Sequence, residues 1–459
     1  MINNASEILT QSTNEIKEVL KKIVTEFIEE DQEKSLSINR AEKILGSAIE
    51  NIIKLIMDMA GGLLSNISEQ DNRICEHCER ILRTNKKLVP LTLMTLYGKL
   101  TIKRDELHCR ACGGGRGLND GYLQIFKKHR ITHDLCELVT YVGQLVASFE
   151  EGKETIKKFL GFMGVEVSTS QIRKIAEEIG EKVHKLDKIE SEKIYNEPEK
   201  YIPTLLEKDK REGVSYTLVD GSQVNTRIQD ENGSSWKEMK LVEGFSDKDI
   251  INRKNGDSVI VKKEYGAIFG SVENFKKEVL RVALGSGYGL YRNHVVLGDG
   301  AAWIWNMSKE LFPDAIEILD FYHVSENTHD YAKVLYPNDE VSRNRWANII
   351  LDKLKNGKED EAIELIDKDK LKIRKFPKGI VNLPEYLKNN RTRIRYKYFK
   401  ELGYYIGSGA IESGNKTVIQ QRMKQAGMRW SASGGQYIAT LRSKYKSNIW
   451  NKVVEIIAC

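Results

Sequence analysis

The sequence lacks the features that mark membrane and secreted proteins. No apolar run is long enough to span a bilayer, and the N-terminus alternates polar and apolar residues where a signal peptide would have an apolar stretch. These absences exclude a transmembrane protein. We therefore expect a cytoplasmic protein without a membrane partner.

Cysteine is scarce as well, at 6 of 459 residues. Four of the six stand in two Cys-x-x-Cys pairs, which suits a reducing compartment and metal binding better than disulfide bonds. Cys136 and Cys459 belong to neither pair, and we expect them to be structural.

A strong excess of one charge is also missing, since the net charge is +6. The placement of basic residues therefore matters more than their number. With 40% hydrophobic and 30% charged residues the chain is globular, and 459 residues exceed what one core usually supports. We expect about three domains.

The first 66 residues have helical periodicity, with apolar residues on one face of each of two helices. These residues are Ile16, Leu20, Ile23 and Phe27, then Leu45, Ile49, Ile52 and Ile56. Such a stripe could pack onto the rest of the chain or support self-association, and both interpretations stay open.

The two cysteine pairs have the spacing of a zinc ribbon. Thirty residues separate them, and residues 91–102 in this interval have β-type sequence. Four thiolates around Zn²⁺ stabilise a segment that is too small to fold by hydrophobic burial alone. The predicted ligands are Cys75, Cys78, Cys109 and Cys112. His77 and His108 are adjacent and could replace a ligand or lie outside the site. Residues 113–117 are glycine-rich but lack the phosphate-loop ending, and we interpret them as a turn.

Residues 147–185 predict two helices joined by a short turn. The first covers residues 150–163, and Ser168 with Gln171 resembles a capping box for a second helix over residues 169–183. The pair fits a DNA-binding helix-turn-helix and also an ordinary helical hairpin. The polar segment that follows, as far as residue 212, is expected to be a linker.

Three acidic residues occupy positions where α/β proteins hold ligands. Residues 294–305, HVVLGDGAAWIW, predict a buried strand that ends at Asp299 in a glycine turn. A second β-rich run ends at Asp220, and Glu412 lies near the start of a helix. Together they could hold two divalent metals. Alternatively, the aspartates are turn residues and Glu412 pairs with Lys416 four residues later.

The strand order around these acids is that of a ribonuclease-H-like sheet. Three successive strands precede a helix, and strands then alternate with helices. Asp320 ends a further strand, with His323 three residues later, and it has either a structural role or a role in handling DNA. Residues 341–400 are charged and helical, which indicates an insertion.

The segment 413–454 contains no Asp or Glu. It has the pattern of a surface that binds the phosphate backbone of nucleic acid. Its cations are Lys416, Arg422, Lys424, Arg429, Arg442, Lys444, Lys446 and Lys452. The interleaved Trp430 and Tyr437 could stack on bases or pack into the core.

Five segments in combination resemble the signature blocks of bacterial insertion-sequence transposases of the ISKra type, with the ISLre type as a near neighbour. These segments are WKEMK (236–240), GDGAAWIW (298–305), DFYH (320–323), IGSGAIE (406–412) and GMRWS (427–431). The resemblance covers most of the chain from about residue 70, and the upstream cysteine pairs are similar too.

The resemblance implies a DDE transposase that nicks DNA and transfers strands at insertion-sequence ends. Asp220, Asp299 and Glu412 match its catalytic triad, although Asp220 has the weakest local match, and two Mg²⁺ or Mn²⁺ ions are implied. Asp320 and His323 resemble the C/D-x-x-H element of Mutator-like relatives, and Trp303 belongs to the same supporting set. The implied partners are double-stranded DNA at element ends and targets, and further copies of the chain assembled on DNA. Such a protein would be bacterial and associated with the nucleoid.

The expected organisation is multidomain. An α/β RNase H-like catalytic domain with an all-helical insertion follows a helical segment, a zinc ribbon and a helix-turn-helix-like region. The bounds are 1–70 (helical region), 71–125 (ribbon), 126–185 (helix-turn-helix), 186–212 (linker), 213–340 (first part of the core), 341–400 (insertion) and 401–459 (last part of the core with the basic tail). Two other functions stay open: a DNA-binding regulator with an inert RNase H-like domain, and a metal-dependent nuclease that does not join strands.

Overall fold

The computed structural model describes residues 2–33, 35–66, 73–118, 120, 129–229, 231, 233–253, 258–370, 377–407 and 409–458. The chain forms two compact units. Unit 1 is Met1–Glu178 with Ile457–Cys459, and unit 2 is Ile179–Ile456. Cys459, expected to be structural, lies outside the described residues.

Unit 1 begins with two long helices, as the periodicity predicted. They are α1 (Ile2–Gln32) and α2 (Ile38–Ser65). Ser37 caps α2 by accepting the N–H of Arg40 at 3.2 Å. The two helices pack on each other, yet part of the predicted apolar stripe stays exposed. These exposed residues are Leu20, Leu45, Ile49 and Ile56.

A three-stranded antiparallel sheet follows, in the order β1-β2-β3. Its strands are β1 (Arg83–Thr95), β2 (Gly98–His108) and β3 (Gly115–Gly117). The β-type sequence between the cysteine pairs is therefore confirmed as strand. The interpretation of residues 113–117 as a turn is wrong for Gly115–Gly117, because these residues pair with the end of β2.

Helix α3 (His133–Leu145) precedes the predicted helix pair, which is present as α4 (Phe149–Leu160) and α5 (Thr169–Asn196). The boundary between the two units falls within α5, after Glu178. A 3₁₀ turn at Gly161–Met163 ends α4, and Gly164 then adopts a φ of +74°. Ser168 Oγ accepts the N–H of Gln171 at 3.2 Å and Gln171 Oε1 accepts the N–H of Ser168 at 3.0 Å, so the capping box is confirmed.

The predicted linker is partly helical. Helix α5 continues to Asn196 and α6 (Pro198–Tyr201) follows, so the expectation of a linker from residue 186 is wrong as far as residue 201. Lysine and glutamate are good helix formers, and their abundance did not distinguish an exposed helix from a linker.

Unit 2 contains a five-stranded mixed sheet in the order β10-β9-β4-β5-β8. The strands are β4 (Arg211–Asn225), β5 (Trp236–Ser246), β8 (Glu264–Phe269), β9 (Tyr291–Gly298) and β10 (Ile316–Leu319). Strands β4, β9 and β10 are parallel, whereas β5 is antiparallel to both β4 and β8. The central run Val295, Val296 and Leu297 is buried, as expected for a strand covered on both faces. A separate hairpin pairs β6 (Ile250–Asn252) with β7 (Ser258–Ile260).

Helices supply the rest of unit 2. Those interleaved with the sheet are α7 (Val272–Gly285), α8 (Ala302–Leu311) and α9 (Phe321–Leu335). The described part of residues 341–400 contains no strand, as its helical sequence pattern predicted, while its being an insertion stays a prediction. Its helices are α10 (Glu340–Lys355), α11 (Glu359–Lys370), α12 (Leu383–Asn389) and α13 (Tyr396–Glu401).

The last part of the chain is also helical. It comprises α14 (Gly409–Gly414), a π-helical segment (Asn415–Gln420), α15 (Gln421–Met423), α16 (Ala432–Lys446) and α17 (Asn451–Ala458). Among the helices that the structure describes, none is long and apolar enough to cross a bilayer.

Candidate functional site

The two Cys-x-x-Cys pairs come together in unit 1. The Sγ atoms of Cys75 and Cys112 are 3.5 Å apart, as are those of Cys78 and Cys109. All four sulfurs lie within 4.8 Å of one another. Tetrahedral zinc with Zn–S bonds of about 2.3 Å separates its sulfurs by about 3.8 Å, so the cluster could bind zinc.

The two pairs have the same backbone geometry. Glu79 and Gly113, the residues that follow each pair, have φ values of +57° and +76°. Each donates its N–H to the carbonyl of the first cysteine of its pair, at 2.9 Å to Cys75 and 3.0 Å to Cys109. Two equivalent turns thus present their thiols to one point.

The surroundings shift different cysteines in opposite directions. The backbone N–H of His77 lowers the pKa of Cys75, whereas the pKa of Cys112 is raised to about 12, because hydrogen bonds with Cys75 and Cys78 outweigh the lowering effect of the Gly114 N–H. Backbone N–H groups of Cys112 and Ala111 lower the pKa of Cys109 to about 6. His77 lies beside the cluster, because a Cβ on Gly114 would be 2.9 Å from His77 Cδ2 and 3.4 Å from Cys112 Sγ. The cluster itself consists of cysteines alone, so neither His77 nor His108 replaces a ligand.

In unit 2, three aspartates lie at one edge of the sheet. Parallel strands end at the same edge, and Asp299 directly follows β9 while Asp320 directly follows β10. Asp220 lies in β4 two residues beyond Leu218, the last residue that pairs with β9. The prediction that this strand ends at Asp220 is wrong, because β5 continues to pair with β4 as far as Asn225.

Asp220 is held by neighbours from two parts of the chain. Its Oδ1 accepts the N–H of Gly221 at 2.7 Å, and its Oδ2 accepts a hydrogen bond from Asn415 Nδ2. Burial raises the pKa of Asp220 and the charge of Asp299 raises it further, against the lowering effects of Gly221, His323 and Asn415. The charge of Asp299 is therefore close enough to disfavour the ionisation of Asp220.

Asp299 sits in the predicted glycine turn. One carboxylate oxygen accepts the N–H of Ala301 at 2.9 Å, which is the turn role that the sequence left open. Gly300 has a φ of +98°, and a Cβ there would be 2.7 Å from the ring of Tyr386. The hydroxyl of Tyr386 donates to the backbone carbonyl of Asp299 at 2.7 Å. These contacts fix the turn.

Asp320 caps helix α9. Its carboxylate accepts the N–H groups of Tyr322 and His323 at 3.1 and 3.2 Å, and it is buried. His323 Nε2 is 3.6 Å from the same carboxylate, and its Nδ1 is 3.7 Å from Glu326. This arrangement favours the structural role for Asp320.

Trp303, on helix α8, contacts one aromatic and one basic side chain of unit 2. Its ring meets Phe275 edge to face with centroids 6.0 Å apart, and Lys240 Nζ lies 5.7 Å from the ring centroid. The indole thus packs from helix α8 against α7 and β5 of the same unit.

Glu412 lies half-buried on α14. Burial raises the pKa of Tyr405 against the lowering effect of the Ala410 backbone, and the charges of Glu243, Asp320 and Glu412 raise it further, so these three acids all act on one tyrosine. Among the residues that the structure describes, however, only the four cysteines form a group of three or more metal ligands within 4.8 Å. Asp220, Asp299 and Glu412 share one region without reaching that spacing, and their catalytic role stays a prediction.

Asn415 is the neighbour of Asp220 that the sequence interpretation missed. It is 3% exposed and begins the π-helical segment. Its one sequence signal was its position three residues after Glu412, which places both side chains on one helical face.

Three of the predicted DNA-binding cations are buried, which corrects their assignment. Arg422, Arg442 and Lys444 are at most 2% exposed. The guanidinium of Arg422 lies 5.0 Å from the ring centroid of Trp430, which is buried in agreement with the core interpretation. Such side chains cannot reach a phosphate backbone in this conformation.

The other two buried cations have specific partners. Arg442 donates from Nε to the carbonyl of Val418 at 2.7 Å, and Lys444 Nζ lies 2.7 Å from Asp187. In contrast, Lys416, Lys424 and Arg429 are exposed and Lys446 is half-buried. The basic tail is therefore partly core and partly surface.

A family model described as an uncharacterised protein family, UPF0236, matches residues 41–457. The chain belongs to the UPF0236 family. A comparison of this UPF0236 protein with curated proteins found no match. Among solved structures, a chain described as the "Drosophila P element transposase strand transfer complex" is similar at 9% identity, covering 72% of this chain and 84% of that chain, with a TM-score of 0.24.

Proposed function

We propose that this UPF0236 protein is a DDE transposase of the ISKra type, or of the neighbouring ISLre type, with an RNase H-like catalytic domain. It would nick DNA at insertion-sequence ends and join the ends to target DNA. The observation that carries the proposal is the convergence of acids at one edge of the sheet in unit 2.

The sheet supports the fold assignment. Strands β4, β5 and β8 are antiparallel neighbours in the sheet, with β6 and β7 between β5 and β8 in the chain. Strands β9 and β10 extend the sheet in parallel on the other side of β4. This is the order that the sequence predicted for an RNase H-like sheet. Five sequence segments that resemble ISKra-type blocks occur in this unit.

The acids suit a divalent metal by their chemistry. Burial and the charge of Asp299 raise the pKa of Asp220, and a hard cation such as Mg²⁺ or Mn²⁺ would stabilise its charged form. Asp220, Asp299 and Glu412 would hold two such ions. When bound, the ions would activate a water or a 3′-hydroxyl as nucleophile and stabilise the departing oxygen.

The remaining features supply contacts for DNA in this proposal. The cysteine cluster with Zn²⁺ and the α4–α5 helix pair would recognise element ends, and exposed cations of the basic tail would neutralise phosphates. The same proposal includes assembly of several copies on DNA and a cytoplasmic location at the nucleoid. It also includes the division of the chain into the seven ranges that the sequence predicted, from the helical region to the basic tail.

The test uses the DNA that flanks the gene as substrate for the purified full chain with Mg²⁺ and with EDTA. The transposase predicts metal-dependent nicks at two fixed ends and products in which these ends are joined to a target plasmid. Cleavage without joining would indicate the nuclease. Specific binding without cleavage would indicate a regulator with an inert domain, and either result would overturn the proposal.

A further inference from the structure

We propose that Asn415 is a positioning residue that orients the Asp220 carboxylate for metal and ties it to the helical turn that carries Glu412. This inference rests on the proposed function and deepens it. It starts from the hydrogen bond that joins Asn415 to Asp220 across 195 residues of sequence.

The direction of this hydrogen bond follows from chemistry. An ionised carboxylate only accepts hydrogen bonds, so the atom of Asn415 that faces Asp220 has to be its amide nitrogen. The amide oxygen Oδ1 is also buried and has no hydrogen-bond partner among the described residues. A buried amide with one end unsatisfied costs free energy, and an aliphatic side chain of similar size would avoid that cost. The hydrogen bond to Asp220 is therefore the reason for an amide side chain at this buried position.

The backbone around Asn415 is held firmly against the sheet. A Cβ on Gly414 would be 2.8 Å from Glu243 Oε2 and 2.9 Å from Tyr265 Cε1, so α14 lies flush on the sheet at this point. The π-helical segment begins at the next residue. Such wider turns re-aim side chains and often occur at functional sites.

Glu412 shares this arrangement. It lies three residues before Asn415, and side chains at this spacing lie on the same helical face. The contact of Asn415 with Asp220 therefore ties the helical turn that carries Glu412 to strand β4.

Asn415→Leu removes the hydrogen bond at nearly constant size, and the matched control is Gln420→Leu at an exposed position of the same π-helical segment. The primary measurement is Mn²⁺ binding by the full chain, followed by electron paramagnetic resonance without any DNA. Supporting residues around metal ligands typically contribute 10–100-fold in affinity, so we expect binding to weaken by about tenfold in Asn415→Leu and to stay unchanged in Gln420→Leu.

Asn415→Asp provides a second readout that a purely structural role would not produce. It places a second carboxylate against Asp220, so the metal-free protein should melt at a lower temperature. Mn²⁺ should then raise Tm by more than it does in the wild type, because the cation neutralises both acids.

The outcomes separate this inference from the proposed function. Wild-type Mn²⁺ affinity in Asn415→Leu, or a loss of Tm in both Asn415 variants that Mn²⁺ does not restore, would reduce Asn415 to a packing residue and leave the transposase proposal intact. A wild-type protein that binds no Mn²⁺ at all would instead overturn the proposed function and this inference with it.

Discussion

Lys444 was predicted to bind DNA at the surface of the basic tail, but in the structure it is buried in an ion pair. The side chain is 2% exposed, and its Nζ lies 2.7 Å from Asp187, whose own side chain is 15% exposed. Burial raises the pKa of Asp187, and the charge of Lys444 is the largest opposing effect. The pair therefore depends on both members.

Lys444→Met would leave a buried carboxylate without its cation. Removal of one partner from a buried ion pair typically costs about 3 to 5 kcal/mol of the free energy of unfolding. The double variant Lys444→Met with Asp187→Leu should recover most of this loss, because replacement of both charges by apolar groups is often close to neutral. Lys424→Met is the matched control, since Lys424 is exposed and its loss should change stability by less than about 0.5 kcal/mol.

Tryptophan fluorescence suits this measurement, because all 6 tryptophans lie between residues 236 and 450 and so report on unit 2. Urea titrations give the stability, and DNA affinity over a salt series gives the number of phosphate contacts. We expect Lys444→Met to be less stable and to bind DNA with an unchanged dependence on salt. Lys424→Met should keep its stability and bind DNA with a shallower dependence on salt. A stable Lys444→Met protein with a shallower salt slope would refute the burial argument.

Three further predictions concern other parts of the molecule. The reduced protein should contain one equivalent of zinc by metal analysis, and Cys109→Ser should lose it; a zinc-free wild type would contradict the cluster. Replacement of Lys416, Lys424 and Arg429 with Gln should weaken binding to matched and scrambled DNA alike and lower the salt slope by up to about one unit per residue; an unchanged slope would show that these cations do not contact phosphates. Burial lowers the pKa of His294 to about 3. The pKa of His294 is therefore lower in the folded protein than in the unfolded chain, where it is about 6.5. This histidine makes its full contribution to the free energy of unfolding above that pH, and the contribution falls by up to about 1.4 kcal/mol per pH unit as the pH drops toward 3. Urea titrations at pH 7 and 4 should show a smaller loss for His294→Asn than for the wild type, and equal losses would contradict this assignment.

The sequence predicted most of the local elements, because their signals are local. The helical periodicity of the N-terminal region, the β-type run between the cysteine pairs and the capping box at Ser168 all appear in the structure. The convergence of the four cysteines followed from their spacing, because two such pairs bind one metal only if they meet. The strand order of unit 2 was also recoverable, since each strand has its own apolar run.

The errors arose where distant residues decide the outcome. Asp-Gly after an apolar run suggested that a strand ends at Asp220, but pairing with β5 extends β4 to Asn225. The sequence shows how many cations the tail has but not which of them point into the core. The partner of Lys444, Asp187, lies far upstream in the chain, so the sequence pattern of the tail did not reveal the pair. Asn415 likewise became visible only through its contact with Asp220.

The central claim is that the acids at the sheet edge hold metal for DNA cleavage, and Asp299→Asn tests it most directly. This substitution keeps the size of the side chain and its acceptor for the N–H of Ala301 while removing the charge. The matched control is Asp314→Asn, an exposed aspartate before β10. Cleavage and strand transfer of the flanking DNA should be lost in Asp299→Asn, with DNA binding and Tm nearly unchanged, and both should be retained in Asp314→Asn. Full Mg²⁺-dependent cleavage by Asp299→Asn would contradict the account.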